Sequence, residues 1–464
     1  MKPINLFVNR ERELSYLNKL YKKKGRKLVI LYGRRRVGKT ELINQFSKGK
    51  KAIYFLADKR GTLSNAERFS AICADYFKDT RPAVRNFDDA FLYVKKHLRG
   101  EKLIIAIDEF SYLVEKDDGI PSVFQLIFDE ILKGTDVFLI LSGSSMSMMY
   151  RGALSYESPL YGRRSGDWML RAMPFRDFSR FYPGLSFEEL VMVYSVVGGI
   201  PAYAVHFGGR DVFDAIKLNV LRKGEFLYSE PEVLLKEELR EPSTYFAILE
   251  AMASNAKLTD IANAARIPAK DMPKYLKVLE DLDLVYKATP VTEKKTRKSL
   301  YFIKDNFFNF WFRFVYPRKS ELEGGNVDEV LKLIKKDFNS HVGRVFEQIC
   351  REYVEQKKLI QFSRVGKWWG YLREKGRRRV EEIDVVALDE SSRKILFGEC
   401  KWQEKVDGYS VLSSLKEKAE KVEWHKEERE EQFVVFAKSF AGKPKEKNCL
   451  FLDAVDLGRW VRSG

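Results

Sequence analysis

The stretch KLVILYGRRRVGKTELINQF sets G-x-x-x-x-G-K-T, residues 33–40, between an apolar run of buried-strand type and a segment of helical periodicity. The chemistry this suits is a grip on phosphate. Phosphate oxygens need several backbone N–H groups converging on them, and glycine alone tolerates the turns and the close approach. Gly33, Arg34, Arg35, Arg36, Val37 and Gly38 form the expected cradle, and Lys39, Thr40 and Glu41 open the helix behind it. Lys39 is placed to reach the β- and γ-phosphates of ATP, and the Thr40 hydroxyl to coordinate Mg²⁺.

A second stretch, EKLIIAIDEF, is an all-apolar run ending in two acids, as a central parallel strand would present them. Asp108 is expected in the Mg²⁺ shell, and Glu109 is expected to polarise the attacking water. The run DVFLILSGSS ends in hydroxyls, and Ser142 or Ser144 stands where a polar sensor of the γ-phosphate belongs.

A third group of reactive residues lies in EIDVVALDESSRKILFGECKW. Two strand-like runs are apolar on both sides except at Asp384, Glu399 and Lys401. Side chains alternate faces along a strand, so Asp384 is expected to share a face with Val386 and Leu388, and Glu399 with Lys401. Glu347 is on a preceding helix that buries Val345, Ile349 and Tyr353. Carboxylates at Glu347, Asp384 and Glu399 suit Mg²⁺. A lysine on the same face could orient or deprotonate a metal-bound water, which is the equipment of phosphodiester cleavage. Arg377, Arg378 and Arg379 precede this strand, and Trp368 and Trp369 are close by. Together they could hold a nucleic-acid backbone and stack bases, or the tryptophans could be core. In the charged helix that follows, Lys416 or Lys418 is placed to face the site.

These residues need elements to hold them. KAIYFLA and DWMLRAM add strands to the three above, and strands alternating with helical stretches predict a parallel α/β sheet. Residues 242–305 read as three helices and two strand-like runs joined by the basic loop TEKKTRK. That is the pattern of a winged helix-turn-helix, with a helix near residues 270–277 for a DNA groove and a basic wing for phosphates. The alternative for such a module is packing between domains. NFFNFWFRFV is too dense in aromatics for a surface and predicts a buried helix, and YPRKSELEGGNVDE predicts a linker.

Composition sets the outer bounds. A chain of 464 residues exceeds one core. Lys and Arg number 83 against 66 acids, a net charge of +17 that favours an acidic polymer such as DNA as partner. The charged fraction of 32%, rich in Lys and Glu, is compatible with a hyperthermophilic source. Four scattered cysteines and four histidines disfavour a zinc site or a disulfide framework. No apolar run has the length of a membrane span, and the first residues lack a signal-peptide core, so a cytoplasmic protein with no membrane role is expected.

The phosphate loop and acid pair, together with LFVNRERELSYLNKL, LSGSS, PLYGRRSGDW and VVGGIPAY, resemble the archaeal ATPase family, a branch of the AAA+/STAND P-loop ATPases. The resemblance implies ATP and Mg²⁺ as cofactors, a helical lid, and an adenine contact from Phe7, Val8 and Arg10. It also implies a γ-phosphate sensor or trans finger at Arg163 or Arg164. The pattern at Glu347, Asp384, Glu399 and Lys401 resembles PD-(D/E)xK nucleases, with Ile383 where a proline is usual. The expected architecture is α/β: a P-loop NTPase parallel sheet (1–170), a helical lid (171–240), a winged helix-turn-helix (241–318) and a PD-(D/E)xK-like α/β domain (328–464). The expected function is an ATP-hydrolysing protein acting on DNA with a nuclease-like far end. The alternative is a STAND-like switch, with a homo-oligomer controlled by nucleotide and a catalytically silent C-terminal domain that binds a partner.

Overall fold

The computed structural model describes residues 7–239, 241–293, 296, 298–374 and 377–463. The chain divides into two compact units, residues 6–172 and residues 173–464.

The first unit is built on a five-stranded parallel sheet of β1 (Lys27–Tyr32), β2 (Ala52–Leu56), β3 (Leu103–Asp108), β4 (Val137–Gly143) and β5 (Gly166–Met169), in the order β2-β3-β4-β1-β5. β3 and β4 are buried along their whole length, which is why they read as unbroken apolar runs. Helices such as Thr62–Phe77 and Phe87–His97 cover a face of the sheet, where Phe55, Phe69, Phe87, Phe91 and Phe124 pack together in one core. Each such side chain contributes roughly 1.5–3 kcal/mol when fully buried. Register does the rest. Ile107 pairs with Leu141, and Leu31 with Ser142. The C-terminal ends of β1, β3 and β4, with their glycine loop, acid pair and serines, therefore meet at one edge.

The second unit opens with helices, among them Phe187–Val197, whose start is closed by a capping box between Ser186 and Glu189. Helices Pro242–Ser254, Leu258–Ala265 and Met272–Asp281 follow, then an antiparallel pair, β6 (Val285–Ala288) and β7 (Leu300–Ile303). The Met272–Asp281 helix buries Met272, Leu276 and Leu279 and exposes Lys274 and Lys277, and Lys270 is exposed in the turn before it. Lys294, Lys295 and Arg297 of the basic loop lie outside the described residues. The aromatic run is helical and buried as expected: Phe307, Phe308, Phe310, Trp311 and Phe312 are all shielded from solvent.

The expected linker differs. Lys319–Glu323 is helical with Leu322 buried, and a single 31-residue helix, Val327–Lys357, starts where a domain boundary was expected. Its first half carries Phe338, which packs on Phe213 and Phe310, and its second half packs on the C-terminal sheet. One helix thus serves two cores, and the Gly324-Gly325 pair marks its start.

The C-terminal sheet comprises β8 (Arg364–Glu374), β9 (Arg377–Asp389), β10 (Lys394–Lys401), β12 (Glu430–Ala437) and β14 (Cys449–Leu452), in the order β14-β12-β10-β9-β8. β8, β9 and β10 are antiparallel neighbours, and β10 and β12 are parallel, joined through helix Gly408–Ala419. The short pair β11 (Val406–Asp407) and β13 (Phe440–Gly442) lies beside it.

Candidate functional site

The loop after β1 has the geometry of a phosphate cradle. Gly33 has φ +149 and Gly38 φ +95, conformations that side chains rarely adopt. A Cβ on Gly33 would stand 2.2 Å from the Leu170 carbonyl oxygen, so this position has no room for one. The Lys39 ammonium donates to the carbonyls of Gly33 (2.8 Å) and Arg34 (3.0 Å), spanning the loop from inside. Arg35 donates to the Tyr112 hydroxyl, Glu41 is exposed on the helix, and Arg36 has φ +69. Arg10 is buried against this loop, donating to the Val37 carbonyl at 3.0 Å and the Arg171 carbonyl at 2.8 Å, and pairing with Glu13. Phe7 and Val8 are half-buried just before it.

The acid pair stands next to the helix start. Thr40 Oγ1 donates to Asp108 Oδ2 at 2.6 Å, two hard oxygens suited to a small divalent cation. The Tyr54 hydroxyl also donates to Asp108 Oδ2, at 2.9 Å. Burial, and then the charge of Asp108, push that hydroxyl well above its usual value, so it remains a donor. Glu109 has φ +54, which turns it out of the strand. Its Oε2 accepts from Ser144 Oγ at 2.7 Å and from Ser111 Oγ at 3.2 Å. Of the two serines expected near the γ-phosphate, Ser144 meets the acid. Ser142 is buried, with its hydroxyl unpartnered among the described residues. Tyr54 and Ser111 were not anticipated. The signal for Tyr54 was a polar side chain facing β3 from the neighbouring strand.

Arg163 is not brought to the loop. Its guanidinium binds Asp129 at 2.9 Å and the Pro159 carbonyl, and the Asp129 carbonyl accepts from Arg26, the residue before β1. Arg163 is thus at the N-terminal edge of the sheet, a strand length of roughly 20 Å from the phosphate loop. The expected γ-phosphate contact within one chain is corrected accordingly. Arg164 pairs with Asp167 instead.

In the second unit, side chains from five elements converge. Gly366 pairs with Val386 and Trp368 with Ile383, so Asp384 and Val385 of β9 oppose the single residue Lys367 of β8. This is a β-bulge, and it breaks the alternation expected for Asp384: Ile383, Val386 and Leu388 share one hydrophobic cluster. Bulging re-aims Asp384, whose Oδ2 accepts from the Cys400 N–H at 2.9 Å. Burial, then the neighbouring charges of Glu347 and Glu399, raise its carboxyl to about 7. Glu347, on the long helix, is paired with Lys367. Burial pulls the Lys367 ammonium down, but Glu347 and Asp384 together offset it, and the net shift is upward. Glu399, 5% exposed, is held by Lys401 at 2.8 Å and by Lys418 of helix Gly408–Ala419 at 2.9 Å, while Lys416 pairs with Glu446. Lys367 was not anticipated, although a lysine interrupting an apolar strand was a signal for it.

Among the described residues, no three His, Cys, Asp or Glu side chains gather so as to hold a metal ion. Lys367 pairs with Glu347, Lys401 and Lys418 pair with Glu399, and Asp384 lies within the charge field of both carboxylates. Trp369 is 2% exposed and Trp368 belongs to the sheet core. The side chains of Arg377, Arg378 and Arg379 lie outside the described residues.

Residues 7–207 match a family described as an ATPase domain predominantly from Archaea. Residues 311–422 match one described as archaeal and bacterial proteins of unknown function. The uncharacterized protein MJECL04 of Methanocaldococcus jannaschii is 34% identical over 464 residues, covering 97% of this chain and all of the relative. The chain belongs to this archaeal ATPase family. The Walker-type ATPase PABY2304 of Pyrococcus abyssi resembles this archaeal ATPase in fold, with a TM-score of 0.52 at 20% identity over 66% of this chain and 96% of that one. A shorter relative, the uncharacterized ATP-binding protein MJ0423 of M. jannaschii, is 52% identical over 48 residues, 10% of this archaeal ATPase and 81% of the relative. Among the described residues, no helix is long and apolar enough to cross a membrane.

Proposed function

We propose that this archaeal ATPase hydrolyses ATP to control its action on DNA. The phosphate chain lies on the loop N–H groups and Lys39, and Arg10 braces the loop through Val37. Thr40 and Asp108 hold Mg²⁺, which when bound neutralises charge on the β- and γ-phosphates. Glu109 orients the attacking water and accepts its proton, and Ser144 and Ser111 hold the carboxylate in position. Phe7 and Val8 stand on the adenine side of the loop.

The proposed organisation is an ATPase domain (1–170), a helical lid (171–240), a winged helix-turn-helix (241–318) and a PD-(D/E)xK-like domain (328–464). The observation that carries the DNA reading is the exposed face of the Met272–Asp281 helix, with Lys274 and Lys277 on it and Lys270 exposed in the turn before it. It follows the Leu258–Ala265 helix directly and leads into the β6–β7 hairpin, the order in which a winged helix presents a helix and a wing to DNA. The net charge of +17 points the same way. The order long helix, β8, β9, β10, helix, β12, with Glu347, Asp384, Glu399 and Lys401 at matching places, supports the nuclease-like fold. In this arrangement Glu347 has Lys367 as partner, and Glu399 has Lys401 and Lys418.

That pairing favours a second reading, in which the C-terminal domain is silent and binds a partner in a STAND-like switch. A salt titration of DNA binding separates the readings. Phosphate contacts by three to five cations give a log–log slope of about −3 to −5, whereas a partner-binding switch gives weak binding that salt barely alters. Incubation of DNA with Mg²⁺ or Mn²⁺, with and without ATP, tests cleavage itself.

A further inference from the structure

A cleft of about 510 Å³ opens in the second unit between the β6–β7 hairpin, the aromatic helix, the long helix and β8. Its size suits a small organic ligand. Its lining includes Lys304, paired with Asp283, and Lys367, paired with Glu347, which leaves the guanidinium groups of Arg344 and Arg351 to favour an anion. Arg344, Glu347 and Arg351 lie three and four residues apart on the long helix, which puts them on one stripe along the cleft floor.

Two further features give the anion an aromatic part. On the hairpin, Tyr286 stacks on Phe302 with ring centroids 5.5 Å apart, and Tyr286 is 39% exposed, leaving an aromatic face open to stacking. On the lining, Trp369 Nε1 and Asn309 Oδ1 are buried with no hydrogen-bond partner among the described residues. Buried polar atoms are rarely left unpaired. Here a donor and an acceptor stand in one cleft with cations and a stacking face. The edge of a nucleobase offers the matching acceptor and donor.

We propose that this cleft binds one unpaired nucleotide. Its base lies against Tyr286 and reaches Trp369 and Asn309, and its phosphate meets Arg344 and Arg351. The cleft wall includes Glu347 and Lys367, so the phosphodiester of a bound strand would lie beside the C-terminal carboxylate group. The inference deepens the DNA reading and rests on it for the source of the nucleotide, either a strand with an unpaired stretch or a free mononucleotide.

The test uses the full chain carrying Lys39→Ala, which weakens binding at the ATP site. Anisotropy of fluorescein-labelled hexathymidylate measures strand binding, unlabelled thymidine monophosphate serves as competitor, and a labelled 20-base-pair duplex is measured in parallel. Tyr286→Ala should weaken hexathymidylate binding about tenfold, and Tyr286→Phe, which keeps the stack, should restore it. Arg351→Gln should weaken it and lower the salt slope by about 1. Competition by the monophosphate would identify a free nucleotide as a ligand, and its failure alongside strand binding would identify a strand. Hexathymidylate binding unchanged in Tyr286→Ala and Arg351→Gln would overturn the inference. Duplex binding with no binding of either single-stranded probe would overturn it while leaving the DNA reading standing. No binding of any DNA or nucleotide probe would overturn both.

Discussion

The Glu109 carboxylate accepts a 2.7 Å hydrogen bond from Ser144, which stands just past the end of the neighbouring strand. The pair joins two strand ends, and it fixes a side chain whose backbone is already turned into the left-handed region. Glu109→Gln should retain nucleotide binding and lose hydrolysis by about 100-fold or more. Ser144→Ala should fall between, because Ser111 still holds the carboxylate. Phosphate release at saturating ATP, measured alongside nucleotide affinity, checks both. Equal rates in all three proteins would remove Glu109 from the mechanism.

Gly33→Ala tests the cradle itself. The added Cβ meets the Leu170 carbonyl at 2.2 Å and the residue must hold φ +149, so the strand end or the loop has to move. A loss of about 1–3 kcal/mol in stability is expected, together with at least tenfold weaker nucleotide binding. Denaturant unfolding and a nucleotide titration read the two effects separately.

Glu399 is 5% exposed and has two ammonium partners. Lys401→Ala or Lys418→Ala alone leaves it one partner, and each should cost little. Removing both leaves a buried charge unpaired, for which about 3–5 kcal/mol is expected. Glu399→Gln in the double variant should recover part of this. Additive small losses in guanidinium unfolding would show that the cluster is solvated.

Glu352, on the long helix, accepts from the N–H groups of Phe175 (2.9 Å) and Arg176 (3.3 Å), yet burial raises its carboxyl from 4.5 to about 7. An acid raised on folding favours the folded state most at low pH. From about 4.5 to about 7 the unfolded chain releases its proton first, so stability falls as pH rises and then levels off. Glu352→Gln keeps an acceptor for the same N–H groups and should flatten this fall. Unfolding of both proteins across pH 4 to 8 checks the difference, and parallel curves would contradict it.

The nucleotide site was legible because every part of it has a local cause. Glycines mark the loop, unbroken apolar runs mark central strands, and each run ends at the residues proposed to act. The C-terminal group was legible in composition and not in geometry. Strict alternation put Asp384 on a face with Val386, but one extra residue opposite Lys367 undoes that parity, and nothing in EIDVVAL announces a bulge. Residues 319–323 read as linker because of the glycines after them, whereas Leu322 finds a buried site that only the tertiary structure supplies. Arg163 resembled a sensor by its place in a motif. Its partner Asp129 lies on a segment between β3 and β4, which no local pattern connects to it.

Control of DNA binding by nucleotide state can be read from one titration. A labelled DNA duplex with an unpaired tail is followed by anisotropy as the full chain is added under ATP, ADP and no nucleotide, at several salt concentrations. Affinities should differ at least fivefold between ATP and ADP, the range of a typical coupling energy. A steep salt slope is expected in each state, and Lys39→Ala should lose the ATP–ADP difference. Identical, salt-insensitive affinities in all three states would contradict nucleotide control of DNA binding.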